Sequence, residues 1–136
     1  MNAPEPVLAF FDTNVPLYLL ASDAAKADRA EDLLASGGTI SVQVLNEFTA
    51  VARRKHAVPW PALQATLGVL RQVCRVEPLT LAVHDRALAL AQRYGIPIYD
   101  ATIAASALQA GCTILYSEDF QHGPVIDHLT IVNPFA

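Results

Sequence analysis

Short apolar runs alternate along this chain with longer stretches whose apolar residues recur at helical spacing. Residues 7–11, Val-Leu-Ala-Phe-Phe, lie between Pro6 and Asp12 and read as a buried strand. Thr13-Asn14-Val15-Pro16 then looks like a helix start, with Asn14 as cap and Pro16 in the first turn, continuing through Leu17, Leu19 and Leu20. Ser22-Asp23 caps a second helix over 24–34, which Gly37-Gly38 stops. Residues 39–42 give a second strand signal, and helices follow over 43–56 and 61–73, parted by Pro59. Residues 75–77 form a short strand before Pro78. The segment 81–94 is a helix with Val83, Ala87, Leu90 and Ala91 on one stripe and Gly95 as its stop. A helix over 100–110, closed by Gly111, precedes strands over 112–116 and 129–132.

Strands and helices in alternation predict an α/β fold, a mostly parallel sheet with helices on both faces. At 136 residues the chain is expected to form one domain, 1–136, around one core. Composition supports this: 53% of residues are hydrophobic and 16% charged, which excludes disorder. Pro and Gly are scattered, and no internal repeat is visible. The N-terminal residues lack the basic start of a signal peptide, and no apolar stretch approaches the roughly 20 residues of a membrane span. A cytoplasmic protein without membrane contact is expected. Cys74 and Cys112 stand in apolar surroundings without metal-ligand spacing, so two buried free thiols are expected. The net charge of −4 argues at first against a polyanionic partner. Its distribution changes that picture, because Arg53, Arg54 and Lys55 are consecutive and a carboxylate cluster would absorb several of the acids.

The acids fall where an open parallel sheet forms its ligand sites, beyond the carboxyl ends of the strands. Asp12 directly follows the first strand, Asp119 lies just past 112–116, and Asp100 opens a helix. Glu47 sits inside a helix at the edge of the apolar face made by Val44, Phe48, Val51 and Ala52, roughly 100° from its centre, so it can look towards the strand ends. Each acid alone has a plainer explanation: Asp100 as helix cap, Asp12 and Asp119 as turn residues, Glu47 as a solvated helix residue. Glu118, beside Asp119, reads as solvated. Taken together on one sheet, four such acids would repel one another unless a cation joins them. Carboxylates with retained water suit Mg²⁺ or Mn²⁺, and such a site suits phosphodiester hydrolysis.

Four segments carry a family resemblance. They are Phe10-Phe11-Asp12-Thr13-Asn14, residues 41–48 ending in Asn46-Glu47-Phe48, Tyr99-Asp100-Ala101, and Leu115-Tyr116-Ser117-Glu118-Asp119-Phe120. With the ending Leu129-Thr130-Ile131-Val132-Asn133-Pro134-Phe135, they resemble the PIN-domain ribonucleases, especially the VapC-type toxins of bacterial toxin–antitoxin pairs. The resemblance spans nearly the whole chain. It implies a three-layer α/β/α domain and Mg²⁺- or Mn²⁺-dependent cleavage of RNA. Asp12, Glu47, Asp100 and Asp119 would be the catalytic acids, with Asp12, Asp100 and Asp119 on the metal. A one-residue shift that puts Glu118 in the place of Asp119 stays open. Thr13, Asn14 and Ser117 would support the carboxylates, Asn14 by a hydrogen bond to Asp12. A homodimer and a small VapB-like antitoxin that occupies a groove near the site are also implied.

Two other classes compete. A phosphoryl-transfer domain with an aspartate nucleophile also places an acid after its first strand. Asp12-Thr13-Asn14, however, lacks the second Asp two residues on, and Lys26 and Lys55 are the only lysines, neither near the last strands. A non-catalytic binding module of the same fold would have no need of four acids, and a PIN-fold nuclease that is not a toxin would keep them. Arg53, Arg54 and Lys55 suit RNA phosphates, or equally the negative end of a helix dipole. His56, His84, His122 and His128 suggest no role. The RNA target and the number of metals are not legible in the residues.

Overall fold

The computed structural model describes residues 8–118, 120 and 125–136. Strand β1, Ala9–Phe11, is buried at all three positions. Neighbouring strand residues point to opposite faces, and both Phe10 and Phe11 are wholly shielded from water. The sheet must therefore be covered on both sides, as parallel sheets are. The remaining strands are β2 (Gly38–Ser41), β3 (Cys74–Glu77), β4 (Ile114–Tyr116), β5 (Val125–Ile126) and β6 (Leu129–Val132). They lie in the order β3-β2-β1-β4-β6-β5, parallel throughout except for the β5–β6 hairpin.

The helices are α1 (Asn14–Leu17), α2 (Ala24–Ala35), α3 (Val42–His56), α4 (Trp60–Val73), α5 (Leu81–Tyr94) and α6 (Ile98–Gln109), with a 3₁₀ turn over Tyr18–Leu20. Helix α6 packs against α5 and against β2, β4 and β6, while α1 contacts α2 and α3, and α4 contacts α2 and α3. The result is the three-layer α/β/α arrangement that the alternating pattern implies. Helix α6 supplies the densest part of the core, with seven buried residues, among them Ala101, Ile103, Ala104 and Leu108. Among the described residues no helix is long and apolar enough to cross a membrane.

Several local readings change. The first strand begins at Ala9, and Val7 lies outside the described residues. Asn14 does not cap the first helix; Thr13 holds that position without a side-chain capping bond, which releases the Asn14 amide for contacts across the sheet. The helix itself stops at Leu17 and tightens into the 3₁₀ turn. Val42 belongs to α3, because the Ser41 hydroxyl accepts a bond from the Val44 N–H at 3.3 Å and starts the helix there. Helix α6 begins at Ile98 behind Pro97, so Asp100 sits in its first turn and is not its cap. The strand read over 112–116 spans only Ile114–Tyr116. The two-residue strand β5 escaped the pattern because it has room for hardly one alternation; Asp127, at φ 51°, makes the tight turn that pairs it with β6.

Helix α3 ends without a glycine. Ala57 takes the left-handed conformation (φ 47°), which costs about 1–2 kcal/mol, and Arg53 helps hold the turn by donating to the Val58 carbonyl at 2.9 Å. Both cysteines are buried and free, and burial pushes the Cys74 thiol up to about 11. A thiol reagent should therefore label neither cysteine in the native protein and both after denaturation; rapid native labelling would contradict the packing.

Gly38 opens β2 in a space that fits no side chain. A Cβ there would lie 2.5 Å from the Phe11 ring and 3.1 Å from the Ala9 carbonyl. Gly38→Ala should cost about 1–3 kcal/mol by overpacking, read from chemical denaturation. Because Phe11 precedes Asp12, the same substitution should also disturb the site described next. A variant as stable as the parent would show that the β1–β2 contact is looser than described.

Candidate active site

Strand β1 lies between β2 and β4, so the residue after it emerges at the crevice formed by the strand ends. That residue is Asp12, only 8% exposed. Its backbone N–H continues the ladder by donating to the Tyr116 carbonyl at 3.0 Å. Neutral donors help to fix its carboxylate. The Thr13 N–H bonds Oδ1 at 2.7 Å and the Ser117 hydroxyl bonds Oδ2 at 2.8 Å. Ser117, just past β4, is tied to β6 through its N–H to the Val132 carbonyl, and its hydroxyl accepts from the Asn14 amide at 3.3 Å. Asn14 thus reaches Asp12 by way of Ser117.

Glu47 is half-buried on α3. The Thr13 hydroxyl donates to its Oε2 at 2.6 Å, and the Gln43 amide, one turn earlier, donates to its Oε1 at 2.8 Å. The same amide donates to the Tyr99 carbonyl at 3.2 Å, tying the start of α3 to the first turn of α6, where Asp100 stands. Asp100 is half-buried there, and a carboxylate in a helix's first turn is favoured by the helix dipole. Asp12, Glu47 and Asp100 line one pocket of about 800 Å³, together with Thr13, Asn14, Gln43, Tyr99 and Arg54.

The fourth acid of the sequence reading, Asp119, lies outside the described residues, as does His122. Glu118 is only partly exposed, where the sequence suggests full solvation. Its side chain faces a second, smaller pocket beside Tyr18, Lys55 and His56. There it forms an ion pair with Lys26 at 2.7 Å and accepts a bond from the Tyr18 hydroxyl. The Lys26 ammonium, and then the Tyr18 hydroxyl, hold the Glu118 carboxyl below its ordinary value, while Glu118 pushes Lys26 up to about 12. Tyr18 in turn packs on Phe135 near the C-terminus, ring centroids 4.4 Å apart.

The donors of the larger pocket are carboxylate, hydroxyl and amide oxygens, the chemistry that suits a hard divalent cation over zinc or copper. Among the described residues no three His, Cys, Asp or Glu side chains are close enough to hold an ion by themselves. Gln43, Tyr99 and Arg54 were not singled out for this pocket by the sequence reading. Gln43 had a readable signal, because it precedes Glu47 by one helical turn and such pairs meet on a helix face.

The Glu118 pair yields a pH dependence. A carboxyl whose folded-state pKa is lowered adds stability above its ordinary value of 4.5 and loses it as pH falls. Glu118→Gln should melt below the parent at pH 7, with the gap closing as pH drops below about 4.5. A gap independent of pH in thermal melts would remove the ion pair as its cause.

The family model for the PIN domain matches residues 9–123. No curated protein matches closely enough to count as a relative. Several solved structures are similar. A toxin–antitoxin complex from Klebsiella pneumoniae superposes with a TM-score of 0.72 at 23% identity, over 93% of this chain and 98% of that one. The VapC20 toxin of Mycobacterium tuberculosis, described as cleaving the sarcin–ricin loop, gives 0.67 at 26% identity, over 82% of this chain and 89% of that one. VapBC2 from Rickettsia felis, bound to a fragment of its promoter DNA, gives 0.67 at 20% identity, over 92% and 97%.

Proposed function

The chain belongs to the PIN-domain family, and on that premise we propose that it is an Mg²⁺- or Mn²⁺-dependent endoribonuclease, the toxin of a toxin–antitoxin pair. One observation carries the chemistry: Asp12, Glu47 and Asp100, remote in sequence, line a single pocket. RNA as the substrate is supported by the similarity to VapC20, a toxin described as cleaving the sarcin–ricin loop. A small antitoxin partner is supported by the similarity to toxin–antitoxin complexes. A cytoplasmic homodimer is the assembly that goes with this reading.

Asp12 and Asp100, with Asp119, would hold the metal. When bound, it supplies a water of lowered pKa and offsets charge that develops on the phosphoryl oxygens. Glu47 is the carboxylate offered to the attacking water. Each of its oxygens already accepts one hydrogen bond and keeps a second lone pair to take a proton. Thr13 and Gln43 hold it in that orientation. Ser117 and the Thr13 N–H do the same for Asp12.

Purified protein incubated with RNA and Mn²⁺ should cleave it, and EDTA should stop the reaction. Asp12→Asn and Asp100→Asn should reduce cleavage to background with circular dichroism unchanged, and Ser117→Ala should lose about ten- to a hundredfold. Full activity of either aspartate variant refutes the assignment. Induction of the parent chain should arrest growth of a host cell while Asp12→Asn does not; cleavage in vitro without arrest would leave a nuclease and remove the toxin role.

A further inference from the structure

The basic run at the end of α3 divides by position. Arg53 is committed to the fold: its guanidinium lies 4.5 Å from the Trp60 ring centroid and bonds the Val58 carbonyl. Lys55 and His56 line the smaller pocket beside Glu118. Arg54 alone of the four lines the pocket of Asp12, Glu47 and Asp100. Helix periodicity explains the split. Arg54 follows Glu47 by seven residues, two turns less about 20°, so both share one face with an axial separation of about 10 Å.

Tyr99 stands at the other end of the same pocket. The residue is 71% exposed, while its carbonyl is pinned by the Gln43 amide at the start of α3. Eleven residues, about 16 Å of helix axis, separate Gln43 from Arg54, with Glu47 between them. An exposed tyrosine, tied by its carbonyl to the start of α3, and an arginine near the end of α3 therefore line one cleft with the carboxylates.

We propose that Tyr99 and Arg54 position the substrate: an unpaired RNA strand lies along α3, one base stacked on Tyr99 and one phosphate held by Arg54. The inference rests on the nuclease reading and deepens it. A phosphate chain near several carboxylates is repelled, and a cation about 10 Å away offsets that repulsion without neutralising the acids. Stacking on an aromatic ring requires a base free of its partner, which makes the site selective for single strands.

Anisotropy of a labelled single-stranded RNA oligonucleotide, with Ca²⁺ supplied as the hard cation and the RNA checked for integrity, tests this. Arg54→Gln should weaken binding and flatten the plot of log K against log salt by about 0.7. Arg54→Lys should keep the slope, and Arg53→Gln should keep it while lowering the melting temperature. Tyr99→Ala should weaken binding by roughly five- to 150-fold, Tyr99→Phe should not, and the RNA should bind far less well as a duplex. A parent-like slope in Arg54→Gln, equal binding by Tyr99→Ala, equal binding of duplex, or no RNA binding by the parent overturns the inference. Binding with these effects but no cleavage in Mn²⁺ leaves the inference standing and removes the nuclease reading; cleavage with unchanged slopes does the reverse.

Discussion

A single residue, Thr13, fixes two of the three pocket carboxylates. Its N–H bonds Asp12 and its hydroxyl bonds Glu47, at 2.7 and 2.6 Å. Both donors are neutral, and so are the Ser117 hydroxyl and the Gln43 amide that complete the pair. Neutral donors set the direction of a carboxylate while leaving its charge in place. An ordinary ion pair would have fixed the position equally well and consumed the charge, as Lys26 does for Glu118. In the smaller pocket an ion pair with Lys26 fixes the acid, whereas in the larger one neutral donors orient Asp12 and Glu47.

The fold serves this constraint. Thr13 can reach both acids because β1 is the middle strand of the parallel set and α3 follows the adjacent β2 directly, with Ser41 as the joint. Ser117 reaches Asp12 because β4 is the other neighbour of β1, in register from Ala9–Ile114 to Phe11–Tyr116. Asp100 arrives on α6, whose buried alanine-rich stretch lets the helix lie close over β2, β4 and β6. The tight fit of Gly38 against Phe11 holds the same strand from the neighbouring β2.

Much of this was legible in the residues. Alternation of apolar runs with helical stripes gave the α/β class, and Gly95, at φ 66°, ends α5 where the pattern stops. Asp12, Glu47 and Asp100 were each placed near a strand end or helix edge by spacing alone, and they share a pocket. What escaped was set by long-range geometry. The cap assignment of Asn14 failed because its amide is used across the sheet on Ser117, 103 residues away. The helix expected to open at Asp100 starts two residues earlier, at Ile98 behind Pro97, which puts Asp100 in its first turn. Glu118 looked solvated because its partners, Lys26 and Tyr18, are about as distant in sequence.

The proposal that the pocket binds a divalent cation is tested most directly by melting temperature against Mn²⁺ concentration. The parent protein should rise in melting temperature with Mn²⁺, as mass action requires of an ion that binds only the folded state. Asp100→Asn should lose that rise. A parent whose melting temperature ignores Mn²⁺, or an Asp100→Asn variant that responds as the parent does, would contradict the account.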